Sequence, residues 1–288
     1  MAPAETASLL VAGSIALDSL QGGRISDELG GSALYFSLAA SLLRPVRVVA
    51  AVGRDAEDRV RRRLTVREGI SSDGLEVVDA PTYRWFAEDD HGRNVDLGSR
   101  DSIYDGWSPK PPVDYRGWAF VGSMRPDRQL EAAQALAGCG LLSADAMRSY
   151  VEANPTDALA VLSHCDWYYA NEEELAALSC PDPAEFRRRW GLAGLVVKRG
   201  PDGATVYTER GEHHEPAMFT PPAVETTGAG DALAGGMLAR WLELGGHPDA
   251  LPEALRWGVA AATIAISDIG QRALLRATRA DLEALVGP

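Results

Sequence analysis

The sequence predicts an α/β fold whose central sheet is largely parallel and covered by helices on both faces. Three observations carry this reading: short apolar runs recur along the chain, stretches of helical spacing separate them, and the last third is almost wholly helical. The 288 residues, 46% hydrophobic and 24% charged, give ample length for a large core. A single domain spanning 1–288 is therefore expected, with smaller segments inserted in it.

The elements follow in order. Leu9–Ala12 and Val46–Val52 read as buried strands, and Leu34, Leu38 and Leu42 stand at helical spacing between them, so the chain opens β–α–β. Asp55–Glu68 reads as a surface helix with Arg61–Arg63 on its solvated face. Two polar stretches interrupt the pattern. Ser19–Glu28 turns at Gly22-Gly23, and within 72–106 the alternating Thr82–Glu88 is followed by the turn Asp90-His91-Gly92 and by Arg93–Leu97, a hairpin pattern. The two insertions, about 19–28 and 72–106, are expected to pair into a small β lid over a site, near which Trp85 and Trp107 fall. From Trp118 the alternation resumes, with strands at Ala119–Val121, Leu141–Ser143, Trp167–Ala170, Leu195–Lys198 and Ala204–Thr208. Arg128–Leu136 is a helix, and the chain finishes with helices at Ala229–Leu244, Pro252–Ser267 and Arg279–Leu285. In such a sheet, ligands bind at the carboxyl ends of the strands.

Charge excludes several functions. Lys+Arg 28 against Asp+Glu 41 gives −13, and Lys110 and Lys198 are the only lysines. Binding to nucleic acid or to an anionic membrane, which needs clustered positive charge, is not expected. No basic residue precedes the first apolar run, Gly258–Ile266 is too short to span a bilayer, and three widely spaced cysteines (Cys139, Cys165, Cys180) suit reduced thiols. The expected location is the cytoplasm.

The most informative segment is Glu225-Thr226-Thr227-Gly228-Ala229-Gly230-Asp231, a polar turn entering a small-residue helix. Amides at a helix N-terminus are free donors that can hold an anion, and side-chain-free residues let it approach. A dinucleotide fingerprint would need glycine where Leu233 stands, and no Walker-type loop occurs in the chain. Asp231 instead places a carboxylate inside the anion hole. Either it favours the helix end electrostatically, or it deprotonates an attacking hydroxyl.

This segment resembles the D-T-x-G-A-G-D signature of the ribokinase-like (PfkB) carbohydrate kinases, with Glu225 in place of the first aspartate. The resemblance implies a ribokinase-like three-layer α/β/α core with a small β lid. It also implies transfer of the γ-phosphoryl group of ATP to a hydroxyl of a sugar or related polyol, with Mg2+ and a monovalent cation as cofactors. Asp231 is then the catalytic base, and Gly228, Ala229 and Gly230 form the anion hole. Other segments are similar to the family as well. Gly13–Asp18 matches its opening strand, which makes Asp18 a ligand of substrate hydroxyls, and Gly30-Gly31 matches its substrate-side di-glycine. Asn171 and Glu174 match its N-x-x-E motif on the magnesium and phosphate side, although the same pair reads equally as a helix capping box. Lys198, Gly200 and Gly203 fall in the loop bordering the nucleotide, Thr227 in the anion turn, and Gly270 in the loop closing the adenine pocket. Glu174 and Glu225 are the metal-side candidates. Asp145, at a strand end, reads as a nucleotide-side or metal-side residue or as a helix cap. Arg93, Arg100 and Arg125 could hold a phosphorylated end of the acceptor. The alternatives are a nucleoside kinase of the same fold and a catalytically silent regulator that binds nucleotide or sugar. A homodimer through the lid is a further expectation from the resemblance.

Overall fold

The computed structural model describes residues 8–90, 93–180, 182–218 and 223–287. The chain opens with strands β1 (Leu9–Ala12), β2 (Ala16–Leu20) and β3 (Ile25–Gly30), helix α1 (Ser32–Ala40) and strand β4 (Val46–Gly53). Helix α2 (Glu57–Leu64), strand β5 (Ile70–Val78) and the antiparallel pair β6 (Tyr83–Asp90) and β7 (Arg93–Arg100) follow. Next come β8 (Trp118–Val121), α3 (Pro126–Ala135), β9 (Leu141–Asp145), α4 (Arg148–Ala153), α5 (Pro155–Leu162), β10 (Trp167–Asn171), α6 (Glu172–Ala177) and α7 (Pro183–Arg189). Strands β11 (Gly194–Lys198), β12 (Ala204–Thr208) and β13 (Gly211–Glu215) lead to helices α8 (Ala229–Glu243), α9 (Leu251–Ala265), α10 (Arg272–Arg276) and α11 (Arg279–Val286).

Nine strands form the central sheet in the order β13-β12-β11-β10-β9-β8-β1-β4-β5. From β5 to β11 every pairing is parallel, and β12 and β13 add on antiparallel. Successive residues of a strand point to opposite faces. Thus Leu9 and Val11 join the core built with α1, α8 and α9, whereas Leu10 and Ala12 join the core built with α3, α5 and α7. The α/β class expected from the sequence is the one observed, with helices on both faces.

A second sheet has the order β3-β2-β6-β7, with β2 parallel to β6 and antiparallel to β3. Its boundaries correct the sequence reading. Residues 70–78 are not lid: β5 pairs with β4 as the outer strand of the central sheet. Its polar residues misled because an edge strand is only partly covered, although Ile70 and Leu75 still reach the core. The lid starts at Ala16 rather than Ser19. Ile103, Tyr104 and Trp107 are buried in the second core, with the Tyr104 and Trp107 rings 6.0 Å apart, so Trp107 packs the body and covers no site. The expected turn at His91-Gly92 lies outside the described residues.

Helix α1 is buried on all sides, a pattern that needs close partners. Helix α8 provides them through its glycines. A Cβ at Gly235 would lie 2.6 Å from the Phe36 carbonyl oxygen, and one at Gly236 would lie 2.7 Å from Ala261 Cβ on α9. The helices therefore pack almost backbone to backbone, which fixes where their N-termini fall. Gly235→Val should force α1 and α8 apart and cost about 1–3 kcal/mol of stability, measured by urea unfolding.

Candidate active site

At the carboxyl ends of β1 and β8 the chain is pinned by two serines. Ser14 N–H donates to Ser32 Oγ (3.0 Å), Ser32 N–H donates to Ser14 Oγ (3.1 Å), and Ser32 Oγ–H donates to the Ser123 carbonyl (3.1 Å). This exchange holds the N-terminus of α1 against the strand ends. Gly31, at φ 95°, precedes the helix, and a side chain there would overlap the Ser14 carbonyl. A Cβ at Gly30 would overlap the Asp18 carboxylate. Asp18 therefore lies directly against Gly30, and Gly31 against the chain at Ser14 and Ala16.

The turn before α8 sits on the same helix. Gly228 caps α8 in the left-handed conformation (φ 76°), and any Cβ on it would run into the Tyr35 ring. Glu225 is 6% exposed, and its Oε1 accepts from Thr227 N–H (2.8 Å) and Thr227 Oγ1–H (2.6 Å). Asn94 of β7 completes the turn: its Nδ2 donates to both Glu225 Oε1 and Thr227 Oγ1, each at 2.7 Å. Glu225 Oε2 and the Tyr35 hydroxyl are buried without a protein partner.

Asp231 follows in the first turn of α8. It is half-buried, and its Oδ1 is enclosed and unpartnered. Lys198, at the end of β11, lies against this turn: a Cβ at Gly230 would sit 3.1 Å from its Nζ. Lys198 Nζ is also 3.4 Å from Glu174 Oε2. Glu174 and Asn171 do form the capping box of α6, with Glu174 N–H donating to Asn171 Oδ1 (2.8 Å) and Asn171 N–H donating to Glu174 Oε2 (2.7 Å). The same carboxylate thus caps a helix and faces the lysine. Asp145, at the end of β9, is buried with its Oδ1 unpartnered.

Electrostatics set the character of the site. Burial pushes Asp231 up to about 6, with Glu174 adding to the rise and Lys198 opposing it. Burial, then the Asp231 charge, holds Asp145 well above the usual carboxylate range. Asp18 is raised as well, first by burial and then by Glu225, Glu28 and Asp231. Burial works against the Lys198 charge, but Glu174, Asp145 and Asp231 outweigh it and keep the amine firmly protonated. Strongly perturbed carboxylates converging at strand ends mark a site built for chemistry.

The remaining sequence candidates are more dispersed. Gly200 and Gly203 shape the turn between β11 and β12, with Gly203 pressed against the Glu215 carbonyl. Gly270 lies against Glu28 of β3, on the lid side. Arg125 is engaged by Asp105 (2.6 Å) and Asp127 (2.8 Å), and Arg100 stacks over Phe86, 5.3 Å from its centroid. The Arg93 side chain lies outside what is described. Sequence reasoning missed Ser14, Ser32, Tyr35 and Asn94. Nothing local in the sequence marks them, because each acts through a partner far along the chain.

A helix N-terminus with a raised carboxylate beside a lysine, next to a turn bonded to Asn94 of the β lid, suits phosphoryl transfer to a hydroxyl. The chain belongs to the PfkB family of carbohydrate kinases, whose profile, "pfkB family carbohydrate kinase", matches residues 10–278. It is 31% identical over 221 residues to the ATP-dependent ribose-1-phosphate kinase of Halopiger xanaduensis, covering 74% of this chain and 73% of that one. It is 26% identical over 275 residues to the cytidine kinase of Thermococcus kodakarensis, covering 87% and 93%. Among solved structures, the Methanocaldococcus jannaschii nucleoside kinase superposes with a TM-score of 0.78 at 18% identity, covering 97% of this chain and 98% of that one. A putative ribokinase II from E. coli, in complex with ATP and Mg2+, gives 0.79 at 20%, covering 97% and 98%. The protein is a kinase of this family with the ribokinase fold.

The raised pKa of Asp231 has a consequence for stability. Its folded value of about 6 lies above the ordinary 3.8, so its ionisation opposes folding as pH rises through 6. Asp231→Asn should therefore melt at a higher temperature than the natural protein above pH 6. The difference should shrink to nothing below pH 4, as read by thermal denaturation across that range.

Proposed function

We propose that the protein transfers the γ-phosphoryl group of ATP to a hydroxyl of a neutral sugar or nucleoside, with Asp231 as the base. The observation that carries this reading is the unpartnered, buried Asp231 Oδ1 in the first turn of α8, beside the amides of Gly228, Ala229 and Gly230. An acceptor hydroxyl held by Asp18 over the di-glycine gives up its proton to Asp231. The amides and Lys198 stabilise charge on the transferred group, and the lid excludes water that would otherwise consume ATP. A silent binding protein has no use for a carboxylate inside an anion hole.

Mg2+ fits the donor set, because Glu174, Asp145 and Asp231 present hard carboxylate oxygens, two of them without protein partners. No three such side chains among the described residues converge tightly enough to hold a metal alone. The ion would therefore be held chiefly by phosphate oxygens and water, with Glu174 and Asp145 behind them. When bound it neutralises the charge of the phosphates. Asn171, Thr227, Gly200 and Gly203 border the nucleotide in this reading, whereas Gly270, against Glu28, lies on the acceptor side.

The acceptor is read as neutral because Asp18 is surrounded by Glu225, Glu28 and Asp231, while the nearby cations Arg63 and Arg272 face Glu28. Arg125 is already neutralised by Asp105 and Asp127. A panel counting ADP release should favour ribose, fructose, cytidine and inosine over ribose 1-phosphate; a clear preference for the phosphorylated sugar would overturn that choice. The free thiols Cys139, Cys165 and Cys180 support the cytoplasmic reading. No helix among the described residues is long and apolar enough to cross a membrane. Exposed Val95 and Leu97 on β7, an edge strand, support a homodimer through the lid, within one kinase domain over 1–288.

Two variants test the roles. Asp231→Asn should lower kcat by about 10²–10⁴-fold while leaving the ATP Kd nearly unchanged. Near-normal turnover would remove Asp231 as the base. Glu225 is longer than the aspartate usual in the family and spends Oε1 on Thr227 and Asn94, so potassium should activate the natural enzyme weakly and the Glu225→Asp variant more. Equal and strong activation of both would contradict this.

A further inference from the structure

We propose that Asn94 is a positioning residue that latches the far end of the lid to the Glu225–Thr227 turn, coupling lid closure to the anion-binding amides of α8. The pattern along β7 singles it out: residues 95–100 are all exposed, whereas Asn94 is half-buried. Its two bonds join positions 131 and 133 residues apart in sequence. At the opposite end the lid is anchored to the body through Thr82, whose Oγ1–H donates to Asp55 Oδ1 (2.6 Å) and whose Oγ1 accepts from Gly53 N–H (2.9 Å). The lid is thus a flap fixed at its base and fastened at its tip.

The chemistry of the latch requires a carboxamide. Thr227 Oγ1 already donates its hydrogen to Glu225 Oε1, so both oxygens can only accept from a third group. Asn94 Nδ2 has two hydrogens and meets two acceptors. An aspartate of the same shape would have none, and would place its charge beside that of Glu225. The latch closes on the turn that leads directly into Gly228–Gly230. An anion bound there therefore stiffens the lid, and a closed lid holds the amides in place.

This coupling rests on the reading of that turn as the anion site, but its test does not require turnover. Hydrogen exchange would be followed over residues 83–100 and 225–232 in the full-length natural protein and in Asn94→Ala and Asn94→Asp. Each would be measured free and with Mg2+ and the non-hydrolysable ATP analogue adenylyl imidodiphosphate. In the natural protein the nucleotide should protect both segments together. In both variants, with melting temperatures near that of the natural protein, basal protection of the turn should fall about tenfold, as expected for loss of hydrogen bonds to a charged group. The nucleotide should then protect the turn without protecting the lid. Loss of protection confined to the lid, or nucleotide protection of the lid that survives both substitutions, would overturn the latch. Failure of the analogue to protect the turn in the natural protein would count instead against the proposed nucleotide site, and the basal exchange of the turn in the variants would still decide the latch.

Discussion

The close approach of α1 and α8 is the constraint on which the rest of this site depends. Gly235 admits the α1 backbone, Gly258 of α9 would place a Cβ 2.7 Å from the Leu233 carbonyl, and Gly228 lies flat on the Tyr35 ring. Two helix N-termini are thereby brought to the carboxyl end of the sheet, the first amides of α1 being taken up by Ser14 and Gly31. One carries Gly30 against Asp18; the other carries Gly228–Gly230 and Asp231. Space is as decisive as charge here. Gly230 is free of a side chain where Lys198 passes, 3.0 Å from the Cβ it lacks. Binding an anion and packing the turn thus ask for the same small residues.

The helix packing also explains why so much polar chemistry is left unfinished in one place. Tyr35, Asp145, Glu225 and Asp231 each have a buried side-chain oxygen with no protein partner, and all four lie around the two helix ends. Such groups are rare in native proteins and costly, since each gives up water without a replacement. Asp231 shows the trade most clearly: the burial that destabilises its charge also raises its basicity toward neutral pH, where it can take a proton and release it. Lys198 keeps the cluster from being purely anionic, and it does so on the side of Glu174 and Asp145 rather than that of Asp18. The two halves of the site therefore differ in charge.

Family membership covers nearly the whole chain, yet its relatives act on different acceptors, a ribose 1-phosphate kinase and a cytidine kinase among them. In this chain the lid strands bring Asp18, Glu28 and Asn94 to the site from three separate positions along the sequence.

What the sequence determined by itself was local. Apolar periodicity located most strands and the long helices, and the run from Glu225 to Asp231 located the turn into α8, because a helix start rich in glycine is legible within a few residues. It read β5 as lid, since a half-covered edge strand shows the same polar alternation as an insertion. It left the short helices α4, α5, α7 and α10 unread, because their few turns are too brief to establish a period. Whether Asn171 and Glu174 cap a helix or serve a ligand could not be separated either, and the structure shows that capping leaves Glu174 free to face Lys198. Only the tertiary structure decided that Asn94 meets Glu225, that Ser14 exchanges bonds with Ser32, and that Gly228 needs to be glycine because of Tyr35. Those contacts join residues far apart along the chain, and their energy comes from packing two helix ends against one sheet edge, which no single stretch of sequence contains.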